Sequence, residues 1–161
     1  MKKKFILFIA FFLFLFDQLI KFVVVTNMKL FESIKVINNF FYITYVENEG
    51  AAFSILTGQK WLLILASIIV LAILYFSFIK DQKLNKYEII TYGTLFGGII
   101  GNLYDRIVRG IVVDYLDFII LGYDAPIFNF ADICIVISMF VLVLLQLRGE
   151  KNEIQNRSRE Q

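Results

Sequence analysis

Four apolar stretches, each about long enough to cross a lipid bilayer, constrain this fold more than any other feature. They are residues 5–25, 61–79, 87–104 and 127–147. A hydrocarbon core about 30 Å thick requires ~20 helical residues. The composition agrees, because 59% of the 161 residues are hydrophobic, whereas a soluble domain is typically about 45–50% apolar. We therefore predict a mainly α membrane protein, with residues 1–148 forming a single domain built on a four-transmembrane-helix bundle.

The basic residues predict how this bundle is oriented. They flank the ends of the spans that share one side of the membrane, in three clusters: residues 2–4, residues 80–86 and residues 148–159. Lys and Arg are enriched in cytoplasmic loops, so both termini are predicted to be cytoplasmic. Residues 26–60 and 105–126 then face outward, and residues 149–161 form a polar, disordered tail. Net charge is only +2, and this clustering argues against a nucleic-acid partner.

The first outer segment has the pattern of a β-hairpin. Residues 33–37 and 40–46 are rich in β-branched and aromatic side chains, and Asn38 and Asn39 lie between them as a turn. Residues 48–50 break the second strand, and residues 51–56 are predicted to form a short helix. We therefore expect a small extracytoplasmic sheet beside the helices.

Three glycines in the third span favour close helix packing. Gly93, Gly97 and Gly101 recur every four residues and so share one helix face. Small residues on a helix face let backbones approach closely in lipid. We interpret the stripe as a packing surface rather than as part of a reactive site.

The absence of histidine narrows the chemistry. Without histidine, Ser-His and Cys-His nucleophilic sites are excluded. The single cysteine, Cys134, also excludes a usual zinc site of Cys and His ligands, and we interpret it as a small buried hydrophobe. Carboxylates are therefore the leading candidates for any proton transfer.

Two aspartates bracket the start of the last span. Asp114 follows three β-branched residues, a setting that predicts desolvation and a raised pKa. Asp132 lies three residues after Asn129, so it is either the acid of a capping box or a site residue at the lip of the bilayer. Two poorly solvated acids placed together share a proton, and one can then activate water while the other polarises a carbonyl.

Other polar residues allow two interpretations each. Asp17 and Lys21 share a face of the first span, either as an orienting ion pair or as a polar anchor beneath an active site. Asp105 is either a cap or the partner of Arg106 or of another group. Arg106 is suited to hold a backbone carbonyl or a lipid phosphate through its planar donor fork. The residues alone do not choose between these alternatives.

Five motifs make the chain resemble the lipoprotein signal peptidase (signal peptidase II) family of bacterial membrane aspartyl peptidases. They are DQLIK at residues 17–21, NEGAAF at 48–53, GNLYDR at 101–106, VVDY at 112–115 and FNFAD at 128–132. The resemblance implies a multi-pass protein of the bacterial cytoplasmic membrane that cleaves signal peptides from diacylglyceryl-modified prolipoproteins just before the lipidated cysteine. It implies lipidated substrates and membrane lipid as partners, no cofactor, and a monomer.

The same resemblance assigns roles to individual residues. It implies Asp114 and Asp132 as the catalytic pair, and it implies substrate-positioning or supporting roles for eight others: Asn48, Gly50, Asn102, Asp105, Arg106, Asn129, Asp17 and Lys21. The chain departs from the common family pattern at Glu47, where a basic or neutral residue is more usual, and at Ile133, where serine is common.

Three other functions remain open at this point. The first is a Ser-Lys peptidase with Ser54 as nucleophile and Lys21 as base, although Asp17, one turn away, opposes the lowered lysine pKa that this requires. The second is a small proton-coupled transporter, and the third is a scaffold in which the acids only cap helices. The acids gather at the outer face, whereas transporter sites usually lie near the midplane.

Overall fold

The structure, a computed structural model, describes the backbone of residues 3–50 and 55–157 and the side chains of these residues as far as 148. The helices are α1 (Lys4–Asn27), α2 (Lys60–Ile73), which continues as a π-helical segment (Leu74–Ile79), α3 (Lys86–Val108) and α4 (Phe130–Arg157). The strands are β1 (Ser33–Ile37), β2 (Phe41–Asn48), β3 (Val112–Ile120) and β4 (Tyr123–Asp124). The fold is mainly helical with a small sheet, as predicted.

Three helical segments among the described residues are long and apolar enough to cross a membrane. They are Lys4–Asn27, Lys60–Ile79 and Phe130–Arg148. The predicted span at residues 87–104 does form a helix, α3, but this helix is more polar and most of its residues are buried in the protein. Neighbouring parts of the protein cover much of its surface.

Helix α3 begins at a capping box. The Asn85 Oδ1 atom accepts hydrogen bonds from the backbone N–H groups of Tyr87 (2.8 Å) and Glu88 (3.0 Å). The Glu88 carboxylate in turn accepts from the Asn85 backbone N–H at 2.6 Å. These bonds satisfy N–H groups that the first helical turn leaves without partners. The start of α3 is therefore fixed by local sequence.

Glycines let α3 pack closely between α1 and α4. A β-carbon at Gly97 would lie 2.9 Å from the Leu13 Cβ atom on α1, and one at Gly98 would lie 2.5 Å from the Ala131 carbonyl oxygen on α4. A β-carbon at Gly93 would lie 2.8 Å from the Ile9 side chain. Any larger residue would force the helices apart. The predicted packing role of the glycine stripe is thus confirmed for Gly93, Gly97 and also Gly101, where a β-carbon would lie 2.7 Å from Asp17 Oδ2. Gly98 extends the close packing to a second face.

The sheet is antiparallel in the order β1-β2-β3-β4. The predicted hairpin is confirmed, with Ser33 opposite Thr44. Strand β3 returns from α3 alongside β2, so that Asp114 pairs with Val46 and Val112 with Asn48. This register places the end of β2 and the start of β3 at the base of the sheet, beside the helices.

Buried apolar residues join the sheet to the helices. Val24 near the end of α1 packs in one cluster with Tyr45, Val113 and Tyr115 from the sheet. An isolated bridge from Leu116 to Phe128 then ties β3 to the segment that enters α4. The chain around Asp114 is therefore held from three sides, which is what a fixed side-chain geometry requires.

Two elements extend beyond what the sequence predicted. Asp117 and Asp124 belong to β3 and β4, and Asp117 accepts a hydrogen bond from Thr44 Oγ1 at 2.6 Å. The pairing partner β2, distant in sequence, decides this. The tail predicted to be disordered from residue 149 is helical as far as Arg157, because α4 propagates from a long apolar span. The short helix predicted at 51–56 falls largely on residues 51–54, outside the described part of the chain.

Candidate active site

Asp114 and Asp132 line the same cavity. Asp114 lies on β3 with 3% of its surface exposed, and Asp132 lies partly exposed in the first turn of α4. The cavity has a volume of about 640 Å³, and Asn48, Asn102 and Arg106 also line it. Five polar side chains from four separate sequence motifs therefore meet in one place.

Two amides hold the carboxylate of Asp114. Asn48 Nδ2 donates to Oδ2 at 2.9 Å, and Asn129 Nδ2 donates to Oδ1 at 2.6 Å. Burial, together with the charge of Asp132, raises the pKa of Asp114 to about 6, even though the two amide hydrogen bonds act in the opposite direction. The desolvation inferred from the β-branched run before Asp114 is thus present in the structure, and the group can change its protonation near neutral pH.

Asp132 caps its helix and also faces the cavity. Its Oδ2 atom accepts from the Asn129 backbone N–H at 3.1 Å, and its own backbone N–H donates to Asn129 Oδ1 at 3.0 Å. This is a reciprocal capping box. Its other oxygen, Oδ1, accepts from Asn102 Nδ2 at 2.7 Å. The two interpretations of Asp132, as a cap and as a site residue, are therefore compatible.

A buried ion cluster lies beneath the two aspartates. Lys21 Nζ lies 2.9 Å from Asp17 Oδ2 and 2.8 Å from Asp105 Oδ2, with all three side chains at most 1% exposed. Lys21 also donates to Asn102 Oδ1 at 2.9 Å. Arg109 forms an ion pair with the other oxygen of Asp105. Asp105 thus pairs with Lys21 and Arg109, and the interpretation of Lys21 as a polar anchor beneath a site matches the geometry.

Arg106 holds backbone carbonyls at the rim. Its Nη2 atom donates to the Gly50 carbonyl oxygen at 3.0 Å, and Nη1 donates to the Asn102 carbonyl oxygen at 3.3 Å. The buried Nε atom has no hydrogen-bond partner among the described residues. Of the two alternatives for Arg106, the structure shows the backbone-carbonyl contact.

The rest of the cavity wall is apolar. It is formed largely by the segment before α4 and by one side of α4: Val112, Ala125, Pro126, Ile127, Phe128, Ile133, Ile135, Val136 and Ile137. Ile133, one of the two departures from the family pattern, therefore lines the cavity.

Glu47, the other departure, accepts a hydrogen bond from the Tyr45 hydroxyl at 2.7 Å and is not among the lining residues. Burial, aided by Glu47, raises the pKa of Tyr45 to about 12.

Sequence reasoning missed two polar members of the site's surroundings. Gln18 Nε2 lies 3.1 Å from Asp17 Oδ2 and 3.2 Å from Asp105 Oδ1, and Gln18 Oε1 accepts from Arg109 at 2.9 Å. A signal for Arg109 existed, because it follows Asp105 by four residues on the same helix. Gln18 lies inside the DQLIK motif, but no charged residue of the same helix made it a candidate by itself. Among the described residues, no three His, Cys, Asp or Glu side chains are grouped as metal ligands would be.

Comparison with known proteins agrees over most of the chain. A sequence model of signal peptidase (SPase) II matches residues 9–148. The lipoprotein signal peptidases of Staphylococcus aureus strains JH9 and Newman are each 40% identical over 145 residues, covering 90% of this chain and 89% of theirs.

Two solved structures, described as bacterial membrane enzymes determined by the in meso method, have the same fold. The first, at 2.3 Å resolution, has a TM-score of 0.85 and 38% identity, over 92% of this chain and 91% of the other. The second, at 1.9 Å, has a TM-score of 0.80 and 39% identity, over 89% and 93%. The predicted family is confirmed: this membrane peptidase belongs to the signal peptidase II family.

Proposed function

We propose that this peptidase is an aspartic endopeptidase that cleaves the signal peptide from diacylglyceryl-modified prolipoproteins just before the lipidated cysteine. One observation carries the proposal. Asp114 and Asp132 line a single cavity, held by Asn48, Asn102 and Asn129, whose remaining wall is mostly apolar. A pair of acids at one end of an apolar cavity suits a peptide bond that enters beside lipid.

The proposed reaction needs one proton shared by Asp114 and Asp132. The ionised acid removes a proton from water as the water oxygen attacks the scissile carbonyl carbon, and the neutral acid gives its proton to the carbonyl oxygen. The newly protonated acid then gives its proton to the leaving nitrogen as the C–N bond breaks. The other acid takes back a proton from a hydroxyl group of the tetrahedral intermediate as the carbonyl re-forms. The pair ends in its starting protonation state, and no metal takes part.

The polar residues around the pair are proposed to hold the substrate backbone. Arg106 has a buried Nε–H without a described partner and lines the cavity, so it has a donor to offer. Asn48, Asn102 and Asn129 are aligned by their bonds to the two acids. Arg106 also holds the Gly50 carbonyl, just after the end of β2. Backbone contacts of this kind leave side-chain preference loose.

Membrane placement is part of the proposal. We infer that all four helices, including α3, span the bacterial cytoplasmic membrane, with both termini cytoplasmic and the sheet outside. The basic clusters support this orientation. The active site then lies near the extracytoplasmic face, and the enzyme acts as a monomer. Each buried methylene of the substrate's acyl chains adds ~0.8 kcal/mol of membrane affinity, which holds the scissile bond at this depth.

The test compares a lipidated precursor with its unlipidated twin. Purified enzyme in detergent should cleave the lipidated form, and mass spectrometry should place the new N-terminus at the modified cysteine. The unlipidated twin should be cleaved far more slowly, because its scissile bond rarely reaches the pair. Comparable rates for the two substrates would contradict the proposed dependence on lipid.

The Ser-Lys alternative conflicts with the surroundings of Lys21. Its ammonium lies within 2.9 Å of Asp17, Asp105 and Asn102, so all three of its donors are already engaged inside the protein. Lys21 is therefore poorly placed to serve a nucleophile as its base. We expect Ser54→Ala to retain activity; a folded but inactive Ser54→Ala enzyme would favour the alternative. Measured proton flux in empty proteoliposomes would instead support a transporter.

A further inference from the structure

Lys21 uses all its hydrogen-bonding capacity inside the protein. The side chain is completely buried, and an ammonium has three donors and no acceptor. Its contacts are Asp17 Oδ2, Asp105 Oδ2 and Asn102 Oδ1, at 2.9, 2.8 and 2.9 Å. Two of these partners are carboxylates, which oppose its charge. The third partner is the uncharged amide oxygen of Asn102, and Asn102 connects the ion cluster to Asp132 in the candidate active site.

The contact with Lys21 determines which way the Asn102 amide faces. The amide oxygen accepts from Lys21 and also from Asn129 Nδ2 at 3.2 Å, so both neighbours on that side are donors. The amide nitrogen therefore faces Asp132 Oδ1, to which it donates at 2.7 Å. A reversed amide would set its NH2 group against the ammonium and would withdraw the donor from Asp132.

The two acids of the pair are not equivalent. Asp132 accepts at one oxygen from Asn102 and at the other from a backbone N–H, and it lies in the first turn of α4, where the helix dipole favours negative charge. It is also partly exposed, whereas Asp114 lies on a strand at 3% exposure. The charged groups acting on Asp114 are Asp132, which disfavours its ionisation, and Lys21, which favours it. Arg106 lies near both acids.

On the basis of the function proposed above, we propose that Lys21 is a positioning residue. By fixing the Asn102 amide, it keeps Asp132 as the ionised acid that activates water and leaves the shared proton on Asp114. The role is distinct from stabilising the cluster, because Arg109 also pairs with Asp105 without contacting Asn102 in the described structure. The two cations therefore provide a matched comparison.

The test variant is Lys21→Met combined with Asp17→Asn. This pair removes one positive and one negative charge, so the buried cluster stays neutral. The amide oxygen of the new asparagine can still accept the hydrogen bond that Asp17 Oδ1 receives from the Ala131 N–H. The control is Arg109→Gln, which removes the other cation on Asp105. Its side chain is 27% exposed, so its loss leaves a smaller defect.

The first readout requires no substrate. Infrared difference spectra recorded against pH report the C=O band of protonated carboxyls. The wild-type spectrum should contain a band that titrates with the pair, and this band should be absent from the spectrum of Asp114→Asn. In the Lys21→Met/Asp17→Asn variant, part of this signal should depend on Asp132 instead, and the titration should move to higher pH. A wild-type band that survives Asp114→Asn but is lost in Asp132→Asn would overturn the proposal, as would an unchanged titration in the double variant.

The second readout is turnover of the lipidated precursor per folded enzyme. Because correct placement of an acid or base is worth at least ~100-fold in rate, partial misplacement in the double variant should lower kcat by about tenfold, with KM little changed and the alkaline limb of the pH profile moved upward. Arg109→Gln should lower the thermal stability of the enzyme, but its pH profile of turnover should be the same as that of the wild type. Equal effects of the two variants on the profile would mean that Lys21 is only structural.

A second variant covers loss of folding. Asn102→Asp keeps an acceptor for Lys21 and replaces the NH2 group donated to Asp132 with a carboxyl oxygen, so the infrared signal of the pair should move toward Asp132. A signal that stays entirely on Asp114 would contradict the proposal. A wild-type enzyme that does not cleave the lipidated precursor would refute the proposed function instead, while the infrared titration would still test the role of Lys21.

Discussion

Replacement of Asn129 tests the chemistry of the pair most directly, because this residue does two separable things. Its Oδ1 atom caps α4 by accepting from the Asp132 N–H at 3.0 Å, and its Nδ2 atom donates to Asp114 Oδ1 at 2.6 Å and to Asn102 Oδ1 at 3.2 Å. Asn129→Ala removes both the cap and the amide donor. Asn129→Ser retains a side-chain oxygen that can cap the helix but cannot supply the amide donor. The two variants therefore form a matched pair.

The expected sizes follow from the two interactions. Loss of an N-cap costs ~1 kcal/mol, and a hydrogen bond to a charged group is worth about 1.5–3 kcal/mol. Since 1.36 kcal/mol corresponds to one pKa unit, losing the donor should raise the pKa of Asp114 by about one unit. Asn129→Ala should therefore be less stable than Asn129→Ser by ~1 kcal/mol at every pH, while both should show the same change in pKa.

The sign of the pH effect follows from the direction of the pKa. The pKa of Asp114 is already raised from 3.8 to about 6. If the pair must keep one proton, kcat/KM should fall as pH rises through about 6 in the wild type. In both variants this fall should move upward by about one pH unit. The lost bond stabilises mainly the ionised carboxylate, so the variants' loss of folding stability should be smaller below the wild-type pKa than above it.

The assay is kcat/KM for a lipidated precursor from pH 4 to 9, with folding stability measured by denaturation in the same detergent. A fall in kcat/KM that stays at the wild-type pH in both folded variants would refute the assignment of that limb to Asp114. A shift in Asn129→Ala without one in Asn129→Ser would show that the cap, rather than the amide donor, controls the titration.

Three further outcomes follow from the structure. Asp114→Asn and Asp132→Asn should each abolish turnover in protein that still folds; substantial cleavage by either would end the two-acid mechanism, and unfolding of the second alone would favour a purely capping role. A cysteine placed at Asn38 should react with an impermeant thiol reagent in intact cells once any outer envelope is permeable, and labelling only after the inner membrane is breached would reverse the topology. Gly98→Ala should cost ~1–3 kcal/mol of folding free energy, since its Cβ would meet a backbone carbonyl at 2.5 Å, whereas Ile107→Ala, on an exposed part of the same helix, should change it by less than about 0.5 kcal/mol.

Much of the helical architecture follows from local sequence. Apolar runs of about 20 residues predict helices because in lipid a chain must satisfy its own backbone hydrogen bonds. The hairpin of β1 and β2 was predictable for a similar reason, since β-branched and aromatic residues flank a short turn. The β-branched residues before Asp114 indicated only the start of strand β3. The strand setting of Asp117 was not predicted, because its pairing partner β2 is distant in the chain.

For the site, the sequence determined which groups are available and only the tertiary structure decided how they meet. A chain without histidine and with one cysteine leaves carboxylates for proton transfer, and the five motifs identify which ones. Nothing in the sequence sets the direction of the Asn102 amide or joins Lys21 to Asp105, since these contacts come from three helices whose closest packing depends on glycines. Orientation and burial are properties of the packed chain, and they make two ordinary aspartates unequal.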